Sequence, residues 1–176
     1  MISPILSSFL EEQEIEAARL ASVSDLVDVE PIGRRPYQKY IIHFACRTLA
    51  SIGGDIAEVE SAGVGFLFKS DYWQRANTFE MVRLLWPREI FLPNANSPFF
   101  CPGNVAPGVS LVDYIYQSYE VLSGQKVQMR EDDALNGAAC AWARRHPSRF
   151  PIDDRPLTGR RLAYRIKDAR DTEEKR

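Results

Sequence analysis

The sequence predicts an α+β fold with an N-terminal helix, a four-stranded antiparallel meander, an ordered loop and C-terminal helices. Helical periodicity precedes and follows four short strand patterns, and the links between these strands contain glycine or proline. Because parallel strands need long crossover connections, such links favour antiparallel pairing. The chain has 176 residues, of which 45% are hydrophobic, so it is long enough for one domain with a buried core.

Hydrophobic periodicity defines the elements before the loop. Ser3 and Pro4 have the character of an N-cap and a first helical residue, and a helix is predicted from there to position 24. The buried side of this helix is predicted to carry Leu6, Leu10, Gln13, Ala17 and Leu20. The four strands are predicted at residues 26–30, 39–49, 64–68 and 79–86.

The run 87–109 contains five prolines and no periodic pattern. A stretch of this length without secondary structure is either disordered or functional when it lies inside a compact domain. Disordered segments are poor in aromatic residues. This run contains Phe91, Leu92, Phe99 and Phe100, and we expect an ordered loop that these side chains anchor to the core.

Two helices are predicted after the loop. Ser110 and Asp113 have capping-box spacing, and Gly124 suits the left-handed turn that ends a helix. The next helix is expected to be capped by Asp132 or Asp133. Its inward side is predicted to carry Leu135, Ala138, Ala139 and Trp142. The folded domain is predicted to span residues 1–152, followed by a charged C-terminal tail at residues 153–176.

Composition and charge argue against several classes of function. The net charge of -2 gives no reason to expect binding to nucleic acid or to a membrane. We find neither a signal peptide nor an apolar run long enough for a membrane span. The three cysteines are too widely spaced for a disulfide framework or a zinc site. We therefore expect a cytoplasmic protein that uses no metal and no cofactor.

Cys101 is the strongest candidate for a reactive group. Cys46 lies on the apolar face of a predicted strand and Cys140 lies in an alanine-rich helix, so both are interpreted as packing residues. Cys101 lies in the proline-rich loop, where a partner can approach its thiol. Asn94 precedes it and offers a neutral donor that can stabilise an oxyanion. The loop has no Lys, Arg or His within about ten residues of Cys101, so no strong thiolate-stabilising group is evident.

The loop resembles the active site of ubiquitin-conjugating enzymes. In that family, a His-Pro-Asn motif precedes the catalytic cysteine, which is followed by a loop with proline and then by a helix. Here the corresponding residues are Leu92-Pro93-Asn94, Cys101, Pro107 and the helix after Ser110. The turn at residues 68–72 and the acidic turn at residues 131–135 also resemble the family, and the likeness covers residues 1–150. Leu92 replaces the motif's histidine, and Trp73 replaces a proline that usually follows Asp-Tyr.

The resemblance implies a ubiquitin-conjugating-type transferase with a ubiquitin-conjugating-enzyme-like fold. An activating enzyme would pass a ubiquitin-like protein to Cys101 as a thioester, and an amine of a protein target would then accept it. Asn94 would support the oxyanion. Asp133, preferred over Asp132, would orient or deprotonate the amine. The likeness is to divergent bacterial members, some of which occur in antiviral operons.

Two other functions stay open at this point. The missing motif histidine favours a catalytically inactive variant of the family that only binds a ubiquitin-like protein. A cysteine hydrolase would pair Cys101 with His43 or His146 as its base. His43 lies in a predicted strand and His146 lies just before Pro147, which ends a helix, so both histidines are interpreted as structural or solvent-facing.

Overall fold

A computed structural model of the protein describes residues 3–103 and 105–158. Its helices are α1 (Pro4–Val23), α2 (Thr78–Met81), α3 (Leu111–Leu122) and α4 (Gly137–Arg145). Its strands are β1 (Val27–Ile32), β2 (Lys39–Phe44), β3 (Thr48–Ile52), β4 (Asp55–Val59), β5 (Ala62–Leu67), β6 (Val82–Trp86), β7 (Ala95–Asn96) and β8 (Phe99–Phe100). Single 3-10 turns occupy Glu131–Asp133 and Pro147–Arg149. No helix among the described residues combines the length and the apolar character needed to cross a bilayer.

The main sheet has four strands in the order β1, β2, β5 and β6, and each neighbouring pair is antiparallel. Val27 pairs with Phe44, and Phe44 pairs in turn with Ala62. In the sequence, β3 and β4 follow β2 and precede β5, and they pair with each other as a separate hairpin outside the main sheet. Strands β7 and β8 form a second, very short hairpin. The predicted α+β class, with an N-terminal helix, a four-stranded antiparallel sheet and C-terminal helices, is therefore confirmed.

One face of the main sheet forms the core. Tyr40, Ile42 and Phe44 of β2 are each at most 2% exposed, whereas Ile41 and His43 between them point to the opposite face and are half-exposed. This alternation follows from the two-residue period of a strand. Helices α1 and α3 contribute side chains to the same buried cluster.

Helix α1 begins and packs as predicted. The Ser3 side chain accepts a hydrogen bond from the Leu6 amide, and Pro4 occupies the first turn. The predicted inner side is buried in full, at Leu6, Leu10, Gln13, Ala17 and Leu20. Burial of each leucine contributes about 1.5–3 kcal/mol. Gln13 is the polar member of this side, and its Oε1 accepts a 2.7 Å hydrogen bond from the Leu111 amide at the start of α3.

The predicted strand at residues 39–49 is broken in the structure. β2 ends at Phe44, and the Arg47 amide donates to Oδ2 of Asp153 at 2.9 Å instead of continuing the ladder. The chain then forms β3, which turns back into β4 at two glycines with positive φ, Gly53 and Gly54. The break depends on Asp153, which lies far away in sequence, so strand periodicity does not indicate it.

The predicted strand at residues 79–86 is too long. Its first part is the single helical turn α2, because the Asn77 side chain accepts a hydrogen bond from the Phe79 amide and caps that turn. Only Val82–Trp86 forms a strand, and it pairs with β5. The apolar pattern of these residues does not distinguish a short helical turn from a strand.

The start of α4 also differs from the prediction. Asp132 and Asp133 belong to a 3-10 turn, and the N-cap of α4 is Asn136, whose Oδ1 accepts a 3.0 Å hydrogen bond from Ala139. The helix therefore begins later than expected, and a later start rotates its inner side. Leu135 precedes the helix and Ala138 is exposed, whereas Ala139, Cys140 and Ala143 are buried and Trp142 is half-buried.

The chain after α4 returns to the core as residues 152–157, here termed the C-terminal segment. The amides of Ile152 and Asp153 both donate to the Ser123 carbonyl, at 2.9 and 3.0 Å. Leu157 is buried, and its carbonyl accepts a hydrogen bond from the Ser24 hydroxyl. The predicted tail at 153–176 thus begins with residues that lie against the core, and residues 159–176 fall outside the described part of the chain.

Candidate active site

The loop at residues 87–109 is attached to the fold by backbone hydrogen bonds. Its start pairs with β3, since the Phe91 amide donates to Leu49 at 2.8 Å and Ser51 donates to Glu89 at 2.8 Å. Further along, the Pro98 carbonyl accepts a 3.0 Å hydrogen bond from Leu84 of β6. These bonds, together with the β7–β8 hairpin, give the described part of the loop a defined position beside the main sheet.

Apolar side chains also anchor this loop. Leu92 and Phe100 are at most 1% exposed, and Phe91 packs on the core, as predicted. The prediction is wrong for Phe99, which is 46% exposed. Neighbouring side chains of a strand point to opposite faces, so burial of Phe100 turns Phe99 outward.

Cys101 follows β8 and is the one cysteine of the three that is not buried. Cys46 and Cys140 are both fully buried, as predicted, whereas Cys101 is partly exposed. Burial raises the pKa of the Cys46 thiol to about 12, and burial also raises the pKa of Cys140. Both buried thiols are therefore poor nucleophiles, because the thiolate is the reactive form.

Asn94 lies directly beside Cys101, as the sequence predicts. The Asn94 carbonyl accepts a 2.9 Å hydrogen bond from the Cys101 amide, and its side-chain Nδ2 lies 3.5 Å from the Cys101 carbonyl. On its other side, Oδ1 accepts a 3.1 Å hydrogen bond from the Gln128 amide. The Asn94 carboxamide is thus fixed through its oxygen, which accepts from Gln128, while its nitrogen makes one long and weak hydrogen bond.

The segment that leads into α4 lies against this loop. Besides the Gln128 bond, the Asn136 amide donates to the Pro93 carbonyl at 3.1 Å. Buried Cys140 supports the segment from below, since its Sγ donates to the Gln128 carbonyl at 3.3 Å. The sequence does not predict that Gln128 binds Asn94, because Gln128 does so through its backbone amide, which every residue except proline has.

Asp133 belongs to the same segment, and its recorded side-chain partner is Arg130. Its Oδ2 lies 3.4 Å from Nε of Arg130, and its side chain is 54% exposed. Asp132 is paired more closely with the same arginine, at 2.7 Å, and this hydrogen bond lowers the pKa of Asp132. Arg130 is therefore the common partner of both carboxylates. Within the described residues, neither carboxylate is hydrogen-bonded to Cys101 or Asn94.

Lys126 is a residue of the site that the sequence analysis missed. Its Nζ donates to the Pro102 carbonyl at 3.3 Å, directly after Cys101. A search near Cys101 in sequence finds no cation there, because Lys126 reaches the loop only after α3 has carried the chain back. The one local feature that bears on its position is Gly124, which turns the chain after the end of α3 with a φ of 69°.

Gly103 brings Lys126 close to the turn after the thiol. Its φ is 151°, a conformation that L side chains rarely adopt. A Cβ at this position would lie 2.9 Å from Nζ of Lys126 and 2.6 Å from Oε1 of Gln117. Because Gly103 has no side chain, the amine of Lys126 and the amide of Gln117 occupy the space beside this turn.

The two histidines considered as bases have other partners. His43 lies on the open face of the sheet, with Nε2 at 3.5 Å from Glu30 and its ring beside Trp86. His146 ends α4, where its Nδ1 lies 2.8 Å from the Trp142 carbonyl and its ring stacks on that indole. In the part of the chain that the structure describes, neither ring is hydrogen-bonded to Cys101.

No protein-family model matches this chain, and no curated protein and no solved structure matches it. A functional assignment therefore depends on the fold and on the group around Cys101. This group consists of one partly exposed cysteine in an anchored loop, a fixed carboxamide beside it, and a lysine amine at the following turn. A cysteine sulfur can act as a nucleophile and as a leaving group.

Proposed function

We propose that the protein is a ubiquitin-conjugating-type transferase of a cytoplasmic conjugation pathway. It accepts a ubiquitin-like protein from an activating enzyme as a thioester on Cys101 and passes it to an amine of a protein target. The observation that carries the proposal is that the partly exposed Cys101 is bonded through its backbone to Asn94, whose side chain is fixed by the Gln128 amide. No metal and no cofactor takes part.

The order of the elements supports the same proposal. The order resembles that of ubiquitin-conjugating enzymes: an N-terminal helix, a four-stranded antiparallel sheet, the loop at residues 87–109 (the cysteine loop) and C-terminal helices. The extra hairpin β3–β4 lies outside the main sheet and leaves this order intact. Leu92 fills the core where the family motif has histidine, so here an apolar side chain anchors the loop in front of Asn94.

The first step is a thioester exchange. The Cys101 thiolate attacks the carbonyl carbon of the ubiquitin-like protein's C-terminal glycine, which the activating enzyme presents as its own thioester. A new carbon–sulfur bond forms at Cys101 and the bond to the enzyme's sulfur breaks; the proton lost from Cys101 is returned by solvent to the departing thiolate. Sulfur suits both roles because thiolates are good nucleophiles and good leaving groups.

In the second step, a target amine attacks the Cys101 thioester. The carbonyl oxygen becomes an oxyanion, and Nδ2 of Asn94 donates to it, giving up only its long contact with the Cys101 carbonyl. A lysine amine with an ordinary pKa of about 10.4 is mostly protonated at neutral pH and must lose a proton. Asp133 is exposed and held by a 3.4 Å ion pair, so it is free to turn toward the entering amine. Asp133 accepts the proton that the nitrogen loses, and collapse of the intermediate breaks the carbon–sulfur bond, forms the amide and releases the Cys101 thiolate.

The test is loading of the full chain by a cognate activating enzyme, its ubiquitin-like protein and ATP. The expected product is an adduct that thiol reductants remove, that is absent in Cys101→Ala, and that becomes a reductant-stable ester in Cys101→Ser. Cys46→Ala is the matched control, because this cysteine is buried and is expected not to take part. Loading that survives in Cys101→Ala would overturn the proposal.

A binding module is the second candidate function. The observation that favours it is that two of the three proposed catalytic side chains already have structural partners: Asn94 accepts from the Gln128 amide, and Asp133 pairs with Arg130. A binding module would keep these contacts and use the fold only as a surface. Binding of a ubiquitin-like protein together with a Cys101 thiol that does not react with iodoacetamide would favour this function over the transferase.

A further inference from the structure

An acceptor amine of the chain itself lies next to the proposed thioester site. Nζ of Lys126 is 3.3 Å from the carbonyl of Pro102, the residue that follows Cys101. The lysine is exposed, and its hydrogen bond to a backbone carbonyl is readily exchanged for water. The four-carbon stem is flexible, so the amine can move within reach of a group carried on the neighbouring sulfur.

The local backbone keeps this approach open. Gly103 belongs to the turn that directly follows Cys101 and faces Lys126. A Cβ at this position would lie 2.9 Å from the lysine amine. The amine therefore occupies space that a larger residue would take. Gln117, whose Oε1 borders the same space, offers an acceptor that can hold the amine near the turn.

The other described lysines are placed differently. The chain has only five lysines among its 22 basic residues, at positions 39, 69, 126, 167 and 175. Lys69 is hydrogen-bonded to Glu80, and Lys39 begins β2 opposite Leu67. Among the lysines of the described residues, Lys126 is the one whose amine contacts the loop of Cys101.

We infer that Lys126 is a site of self-modification, at which the acyl group carried by Cys101 is transferred within the same molecule. This inference rests on the proposed function, since it requires a Cys101 thioester. Unprotonated Nζ attacks the thioester carbon, a carbon–nitrogen bond forms, and the carbon–sulfur bond to Cys101 breaks. The nitrogen loses a proton, the released thiolate gains one, and the products are an amide on Lys126 and a free Cys101 thiol.

A modified Lys126 carries the acyl chain at the turn beside the thiol. A large adduct there obstructs the approach of the activating enzyme and of other targets. Self-transfer therefore competes with transfer to a target, and its rate sets how long the thioester persists when no target is present.

The test uses a chemical acyl donor, the mercaptoethanesulfonate thioester of a peptide ending in Gly-Gly. This donor loads an accessible cysteine by thioester exchange and needs no activating enzyme. The full chain is incubated with it, excess donor is removed, and the position of the acyl group is followed by peptide mass spectrometry with and without hydroxylamine. The expected result is a hydroxylamine-labile adduct on Cys101 that converts into a stable adduct on Lys126, at a rate that does not depend on protein concentration.

Lys126→Arg keeps the hydrogen bond to Pro102 but removes the acceptor amine, and it is expected to lengthen the thioester lifetime by roughly tenfold. Lys39→Arg and Lys69→Arg are the matched controls and are expected to leave that lifetime unchanged. A loaded Cys101 with unmodified Lys126 would overturn this inference and leave the proposed function standing. Lys126 acylation that persists in Cys101→Ala, or that accelerates with protein concentration, would also overturn it. A Cys101 that takes up no acyl group would overturn the inference together with the carrier role.

Discussion

Asn94 is the residue that joins the cysteine loop to the segment before α4. Its carbonyl accepts from Cys101, its Oδ1 accepts from Gln128, and its Nδ2 faces the Cys101 carbonyl. An amide side chain meets these demands because it has an acceptor and a donor on one planar group. A carboxylate of the same shape keeps the acceptor and loses the donor.

Asn94→Asp is therefore expected to keep the loop folded and to impair transfer. The variant retains the bond to the Gln128 amide, but it places negative charge where the oxyanion forms and cannot donate to it. Loss of one oxyanion donor slows comparable reactions by about 10²–10³-fold. The measurement is single-turnover discharge of the Cys101 thioester onto free lysine, with thermal melting to check the fold.

Asn96→Asp is the control for this change. Asn96 lies two residues further along, in β7, and it is exposed, so the same loss of an amide is expected to leave discharge unaffected. A thioester on Asn94→Asp that discharges as fast as the wild type would show that Asn94 has a structural role alone.

At the level of elements, the beginning of α4 shows how two similar polar residues compete for one role. Asp132 and Asn136 are both good N-cap residues. The structure uses Asn136, whose own amide is in addition satisfied by the Pro93 carbonyl of the cysteine loop. Asp132 instead pairs with Arg130 at the surface. The helix thus starts where a neighbouring loop fixes the backbone.

Replacing the two candidate caps by alanine is expected to have unequal effects. Asn136→Ala should lower the free energy of unfolding by about 1 kcal/mol, because the Ala139 amide loses its acceptor. Asp132→Ala removes an exposed ion pair, which typically contributes between about 0 and 1 kcal/mol. Urea denaturation of both variants measures the difference, and an Asp132→Ala variant that is the less stable of the two would contradict the assignment of the cap.

At the level of the whole molecule, the C-terminal segment joins parts of the chain that are remote in sequence. Asp153 is fully buried, accepts from the Arg47 amide, and pairs with Arg155 at 2.6 Å. Arg155 also donates to the Ala45 carbonyl at 3.1 Å. This one carboxylate therefore holds the chain where β2 ends and β3 begins, so the segment stabilises the sheet from outside.

The buried carboxylate is expected to make stability depend on pH in the acid range. The Arg155 hydrogen bond lowers the pKa of Asp153 from 3.8 to about 2. Because the native state holds the proton more weakly than the unfolded chain, the stabilisation is complete above pH 3.8 and is lost as the pH falls through about 2. Asp153→Asn should thus lower the free energy of unfolding by about 2 kcal/mol at neutral pH and by progressively less in acid.

Neighbouring Asp154 supplies the control, since it is exposed and Asp154→Asn is expected to leave the stability unchanged. Chemical denaturation at several values between pH 2 and pH 7 measures both variants. A stability difference between wild type and Asp153→Asn that stays constant over this range would contradict the role of the carboxylate charge.

Short-range patterns predicted much of the fold. The cap of α1, its buried side, the capping box at Ser110 and the burial of Cys46 and Cys140 all depend on residues a few positions apart. Helical and strand periods connect such neighbours directly. The accessible position of Cys101 was predicted in the same way, because its loop has no period and is rich in proline.

The remaining features depend on contacts between distant residues. Asp153 interrupts the strand after Phe44, the Pro93 carbonyl fixes the amide of Asn136, and Lys126 reaches the turn after Cys101 only once α3 has folded back. These three contacts depend on the free energy of the whole folded chain. In that sum, a hydrogen bond or the burial of a side chain between distant residues outweighs a local conformational preference of about 1 kcal/mol. The sequence alone therefore indicated the partly exposed cysteine and the asparagine that accompanies it. The tertiary structure decided which backbone amide fixes that asparagine and which amine reaches the turn after Cys101.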